Sequence, residues 1–281
     1  MASLDAAAPP QPNPSRTPAT RPARQVAFRG RGFVTAHYRG ASWIAFALLI
    51  GLWEAAIRFG WVRELFLPAP SSVAEALRQL AIDGTLGHHL SASLLRLLVG
   101  WSLGTLCGLL AGFAIGIWSL ARAVGVPVIS AFFPIPKIAL LPLFILWLGI
   151  GEPAKFATIA LGVFFPTAIA TFSALDAVPR NLIRMAQSFD VPWLDILRKV
   201  VLPGAMPGIL AAFRITASIA LLLLVSAEMI GAQYGIGAFV LSAGSLMQTD
   251  ALLAGVLVLS LTGLCIGTLL SKIEKAILNW R

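Results

Sequence analysis

Six ionisable residues fall inside long apolar runs of this chain: Glu54, Arg58, Arg96, Lys137, Arg214 and Glu228. A charge at the centre of a hydrocarbon layer costs roughly 2.5–3.5 kcal/mol on insertion scales. Each therefore needs a partner, a route to the interface or a task. Arg58 sits close enough to the end of its run to snorkel to the outer interface. Arg96, in the first turns of its run, could attract an anion or pair with an acidic neighbour, and pairing is the preferred reading. Lys137 lies among prolines near the inner end of its run. Arg214 is about two turns into its run, within reach of the inner surface, so structure and substrate contact are both open for it. Glu228 ends its run near the outside and suits pairing or gating better than contact with an anion, which it would repel. Arg96, Lys137, Arg214 and Glu228 are the candidates for a translocation path.

Catalytic chemistry finds little support. His88 and His89 are adjacent and cannot face one side of a helix as metal ligands do. No Ser–His or acidic pair recurs at useful spacing within the apolar runs, and no phosphate-binding loop is present. The chain should not hydrolyse ATP, and no cofactor is expected in it. Cys107 and Cys265 lie inside apolar runs and read as small packing residues. No ligand-spaced Cys or His cluster supports a metal site.

The elements that must position these residues are helices in a bilayer. The sequence is 58% hydrophobic and 12% charged, about half the charge of a soluble domain. The apolar runs are continuous rather than alternating, which argues against a β-barrel. The expected fold is all-α, a polytopic membrane bundle of about six spans, near residues 41–60, 89–120, 128–148, 156–175, 207–230 and 251–270. Ser71 or Ser72 is placed to cap a short helix running to about residue 80. Gly100, Gly104, Gly108, Gly112 and Gly116 recur every four residues and lay a smooth groove along one helix face for close packing. Pro134, Pro136 and Pro142 should kink the third span where it borders protein or water.

Residues 1–40 read as a disordered basic tail, and residues 41–281 as the transmembrane domain. Fourteen basic residues fall in segments assigned inside, including that tail and Arg281, against Arg63, Arg78 and Lys155 outside. That asymmetry puts both termini in the cytoplasm. It also puts residues 176–207 there, a polar interruption between apolar runs. Within it Leu182, Met185, Ala186 and Phe189 recur at helical spacing, opposite Arg180, Arg184, Gln187 and Ser188. The polar side has no place in a membrane, so the apolar stripe should be received by something outside the bilayer, as a handle for a transport machine. A passive channel or a purely structural membrane protein would leave this helix unexplained.

The chain from about residue 41 onward resembles the membrane subunits of binding-protein-dependent ABC importers. The matching loop is Arg184, Met185 and Ala186, then Asp190, then Val201, Leu202, Pro203, Gly204, Ala205, Met206 and Pro207. The stretches LPAPSSV, ALLPLFILWLGIGEPAK, VVLPGAMPGILAAFRI and SAEMIGAQYGIG are similar to the nitrate, taurine and aliphatic-sulfonate branch. The resemblance implies the type I importer permease fold in a bacterial inner membrane. It further implies a permease homodimer, two cytosolic ABC ATPases and a periplasmic solute-binding protein, with ATP and Mg held by the ATPases. Leu182, Arg184, Met185, Ala186, Phe189, Asp190, Leu202, Pro203, Gly204 and Pro207 would then couple to the motor, and the solute would cross by alternating access. An aliphatic sulfonate is the expected cargo, with taurine, nitrate and a vitamin-precursor heterocycle as alternatives. The family loop opens on an acidic residue where this chain has Arg184, so the partner ATPase should carry a compensating change. The family glycine is Asp190 here, and Asp tolerates left-handed geometry better than most residues. Pro192 would occupy the first turn of the next helix.

Overall fold

The computed structural model describes residues 40–279. Apart from Gly40, the expected tail lies outside the described residues, as does Arg281. The chain divides into two units, residues 1–49 and residues 50–281. The described part of the first is a turn at Gly40 and the opening of helix α1 (Ala41–Arg58).

The second unit continues through α2 (Pro70–Ile82), α3 (Thr85–Ile117), α4 (Ser119–Phe132), α5 (Leu141–Leu148) and α6 (Glu152–Asp176). It ends with α7 (Arg180–Ser188), α8 (Trp193–Ile196), α9 (Leu202–Gly231), α10 (Ile236–Ser245) and α11 (Thr249–Ile277). The described residues contain no strand. Among the described residues, four stretches are long and apolar enough to cross a membrane: α3, α6, the continuous run Trp193–Gly231 and α11. Counting the bent pair α4 and α5 as one broken span makes five. The sixth expected segment is α1, whose 18 residues reach about 27 Å, slightly under the ~30 Å hydrocarbon thickness.

Several boundaries differ from the sequence reading. The third span is not one kinked helix: α4 already begins at Ser119 and includes Arg122, and the two halves meet at 87°. Pro134 and Pro136 sit in the break and donate no N–H, while Pro142 falls in the first turn of α5, where a missing N–H is harmless. The fifth span starts well before residue 207, because α8 runs into α9 without interruption. On α2 the N-cap is Ala69, with no side-chain cap. Ser71 and Ser72 turn outward instead, their hydroxyls donating to Glu54 at 2.8 Å and Glu64 at 2.7 Å. Glu54 also accepts from the backbone N–H of Ser71 at 3.1 Å and from Arg58 Nε at 2.7 Å. A carboxylate from α1 thus satisfies a free N–H in the first turn of α2. On the exposed side of α2, hydrogen bonding to Arg78 holds the Glu75 carboxyl down to about 2. Cys107 and Cys265 lie exposed on the surface of the chain rather than packed within it.

The glycine groove organises the core. A Cβ on Gly100 would stand 2.7 Å from Ile159 Cβ, and one on Gly108 would stand 2.7 Å from the backbone oxygen of Phe164. One on Gly112 would meet the Ala168 oxygen at 2.7 Å. α3 and α6 are therefore in backbone contact over several turns, the close approach that small residues permit in a membrane. Around this pair, Leu97, Ile159 and Val163 pack on Ala220, Leu223 and Leu224 of α9. Ile115 and Phe165 receive Ile129 of α4, and Ala254 of α11 closes on Val73 and Ala76 of α2.

Candidate functional site

The polar segment after α6 is anchored at its start. Val178 joins Ala174, Leu175, Ala205 and Ile209 in a buried cluster, and Ile183 of α7 packs against it. That contact fixes which side of α7 turns inward. Arg180 and Gln187 then line, with Ile183, Trp193 and Leu197, a cavity of about 330 Å³. Both lie opposite the apolar stripe, as the helical spacing placed them, and both remain exposed. The opposite side carries Leu182, Met185 and Phe189, all exposed, Phe189 by 76%, with Ala186 half-buried. Arg184 is exposed and has no ion-pair partner among the described residues.

The turn after α7 forms as the sequence suggested. Asp190 has φ 53°, the left-handed region. Its N–H donates to Gln187 O at 3.0 Å, and Val191 N–H donates to Ala186 O at 3.2 Å. These are the paired bonds of a Schellman ending, whose left-handed position glycine usually fills. Pro192 stands one residue earlier than expected, as the N-cap of α8. Lys199 Nζ donates to Asp195, four residues earlier, at 3.1 Å. Asp190→Gly is expected to preserve the turn and to raise stability by about 1 kcal/mol, since the left-handed strain of a side chain disappears. Asp190→Val is expected to lower it by at least as much. Thermal unfolding of the purified protein compares the three.

A feature with no period in the sequence follows. Leu197–Val201 forms one turn of π-helix, and the N–H of Leu202 reaches back five residues to Leu197 O. Pro203 supplies no N–H to the preceding turn, so a widened turn is the local answer. Leu202 and Pro203 open α9, Pro207 lies within its second turn, and a Cβ on Gly204 would meet Val178 at 3.1 Å.

A second group of charged residues gathers at the opposite end of α6. Its 25 residues separate the two places by about 37 Å. Arg96 of α3 donates through Nη1 to Glu228 at 2.7 Å and to the carbonyl of Tyr234. Its Nε and Nη2 form a fork on Glu152, at 2.6 and 2.8 Å. Lys155 Nζ donates to the same carboxylate at 3.0 Å. Glu228 further accepts from Ser93 Oγ at 2.8 Å and from the N–H of Gly237 at 2.8 Å. Ser93 Oγ in turn accepts from the N–H of Ile236 at 2.8 Å. Four stretches of chain meet there: α3, α6, the end of α9 and the segment leading into α10.

Arg96 and Glu228 are thus brought together, whereas Lys137 and Arg214 lie elsewhere. Lys137 Nζ donates to the carbonyl of Phe132 at 3.1 Å and to that of Phe133, and stands 4.9 Å from the centre of the Phe165 ring. It serves the carbonyls left free at the α4–α5 break. Arg214 pairs with Glu274 of α11. Glu152 and Lys155 did not stand out in the sequence, because both fell in what read as an outside turn. Their spacing of three residues was the available signal. Lys155 is instead buried in the first turn of α6.

The chain matches the family described as binding-protein-dependent transport system inner membrane component over residues 104–279. It is 35% identical over 239 residues to the taurine transport system permease protein TauC of Escherichia coli (strain K12), covering 83% of this chain and 87% of that protein. It is 33% identical over 235 residues to the putative aliphatic sulfonates transport permease protein SsuC of Bacillus subtilis (strain 168), covering 84% and 85%. Among solved structures, the inward-facing MetNI methionine ABC transporter has a chain that aligns with a TM-score of 0.61 at 22% identity, over 70% of this chain and 98% of that one.

Proposed function

The chain belongs to the family of binding-protein-dependent transport system inner membrane components, and on that footing we propose that it is the permease of an ATP-driven importer for an aliphatic sulfonate such as taurine. As a family member it is a multi-pass membrane transport component and not an enzyme. The observation that carries the proposal is the exposed stripe Leu182, Met185 and Phe189 on a helix whose other side is held by the core. An amphipathic helix of this kind fits an apolar groove on a partner. The partner is a cytosolic ABC ATPase, which supplies ATP and Mg. Two permease copies and two ATPases form the machine, a periplasmic solute-binding protein delivers the cargo, and both termini face the cytoplasm. Closure of the ATPases would pull α7, and Val178 and Gly204 would pass the pull to α6 and α9. Arg184 presents a cation to the ATPase, which should answer with an acidic residue. The names of the curated relatives support a sulfonate cargo.

The test is uptake into proteoliposomes containing the permease, its ATPase and its binding protein. Wild type is expected to accumulate taurine or a longer alkanesulfonate when ATP is supplied on the cytoplasmic side. Phe189→Asp is expected to reduce both uptake and ATPase co-purification at least tenfold, because truncating or charging an interface anchor costs about 2 kcal/mol or more. Unchanged uptake in this variant would remove the coupling role. Uptake of nitrate without uptake of any sulfonate would reassign the cargo.

A further inference from the structure

We propose that Arg96 and Lys155 form a binding site for the anionic head of the transported solute, which Glu152 occupies as an internal counter-anion until the solute displaces it. The cargo in this inference rests on the importer reading above; the site rests on geometry. The two cations are sealed, with side chains 5% and 6% exposed, while the carboxylate between them is 44% exposed. Of these three residues the two cations are buried, and the one open to the outside of the chain is the anion.

The two edges of Arg96 have different tenants. Nη1 is committed to Glu228, whose side chain has no exposure and is also held by Ser93 and by the N–H of Gly237. That half of the cluster has nowhere to go. Nε and Nη2 form a planar fork that holds the two oxygens of Glu152. The same fork fits two oxygens of a sulfonate, and a third sulfonate oxygen would fall to Lys155, which already bonds the tenant carboxylate.

The charges favour exchange over simple release. Arg96 and Lys155 balance Glu152 and Glu228, so the cluster is neutral as it stands. Departure of Glu152 alone would leave a sealed positive charge uncompensated, which is strongly unfavourable. A monoanion arriving as Glu152 swings out keeps the balance at every stage. Glu152 is the first residue of α6, so its release needs only side-chain rotation and movement of one helix end. An anion would then be held without net charge entering the bundle, and its own tail would remain outside the fork.

The experiment uses the intact complex of permease and ATPase in nanodiscs, without the binding protein, and radiolabelled taurine and methanesulfonate as probes. Wild type is expected to bind both weakly. Glu152→Gln is expected to bind them at least tenfold more tightly, because the competing carboxylate is gone, and Glu152→Asp is expected to give a smaller gain. Adding Lys155→Gln or Arg96→Lys to Glu152→Gln is expected to abolish the gain. A folded Glu152→Gln complex with no gain would overturn the proposal. So would a gain that survives the Lys155 substitution, which keeps the test decisive even where Arg96→Lys does not assemble. Wild-type taurine uptake is measured alongside in the proteoliposomes that contain the ATPase and the binding protein. Uptake without any gain in Glu152→Gln would refute the site and leave the importer reading standing; a gain for methanesulfonate without taurine uptake would do the reverse.

Discussion

Glu228→Ala is expected to destabilise the folded chain by about 3–5 kcal/mol, the range for removing one partner of a buried ion pair. The substitution strips a carboxylate that accepts from three separate donors: Arg96 Nη1, Ser93 Oγ and the N–H of Gly237. Arg96 Nη1 keeps the Tyr234 carbonyl, but Ser93 Oγ and the Gly237 N–H have no other acceptor among the described residues, and the Glu228 side chain has no exposure. The guanidinium keeps Glu152, yet the cluster carries one positive charge too many. Glu228→Gln keeps one acceptor oxygen but turns the other into an NH2 donor facing Arg96 or Gly237, so it is expected to fall between alanine and wild type. Glu75→Ala is the control, because its pair with Arg78 is exposed on both sides and such pairs contribute little. Thermal unfolding in detergent, read as loss of the monodisperse peak, ranks the three variants. Equal melting of Glu228→Ala and Glu75→Ala would show that the cluster does not hold this end of the bundle.

Gly108→Leu is expected to prevent accumulation of folded protein altogether. A Cβ at this position would stand 2.7 Å from the Phe164 oxygen and 2.7 Å from Thr167 Cβ. A backbone oxygen cannot rotate aside, so α3 and α6 would have to separate. Separation would also empty the contacts at Gly104 and Gly112 on the same face, which is why the effect exceeds that of one crowded side chain. Gly108→Ala is expected to cost about 1–3 kcal/mol from overpacking, despite the ~1 kcal/mol by which alanine favours helix over glycine. Gly87→Ala, on the same helix but with nothing within 4 Å, should gain that propensity without a clash. Yield and melting temperature of the three proteins decide the matter: if Gly108→Ala melts no lower than Gly87→Ala, the groove is not tight.

Local signals were legible in the sequence where one element determines them. The glycine period of four fixed a helix face, and that face is the one pressed against α6. The stripe of α7 also followed from spacing, and the left-handed turn at Asp190 from the resemblance, which puts a family glycine there, together with the tolerance of Asp for that geometry. What stayed hidden depended on distant partners. Arg96 meets Glu152 and Glu228, which lie 56 and 132 residues away, and no periodicity reports such a meeting. The prolines near residue 136 announced a disturbance, but the turn of 87° between α4 and α5 requires Lys137 to serve the freed carbonyls, which a proline count does not reveal. The same holds for Ser71, which the local pattern assigned to a cap and Glu54 claims instead. The π turn before Pro203 escaped because a missing N–H can be answered by a kink, a break or a widened turn, and packing chooses among them.

The backbone contact between α3 and α6 also limits how the protein can move. From Gly100 to Gly112 the two helices touch over about 18 Å with no side chain between them on the α3 side. Side chains are the deformable layer in most helix pairs, and here that layer is missing from one partner. The pair therefore counts mechanically as a single beam, with the polar segment bearing α7 at one end and the Arg96 cluster at the other. Bending is left to the α4–α5 break and to the π turn before α9. A displacement imposed at α7 is then delivered to Glu152 as a rigid tilt, so the chain has fewer moving bodies than helices.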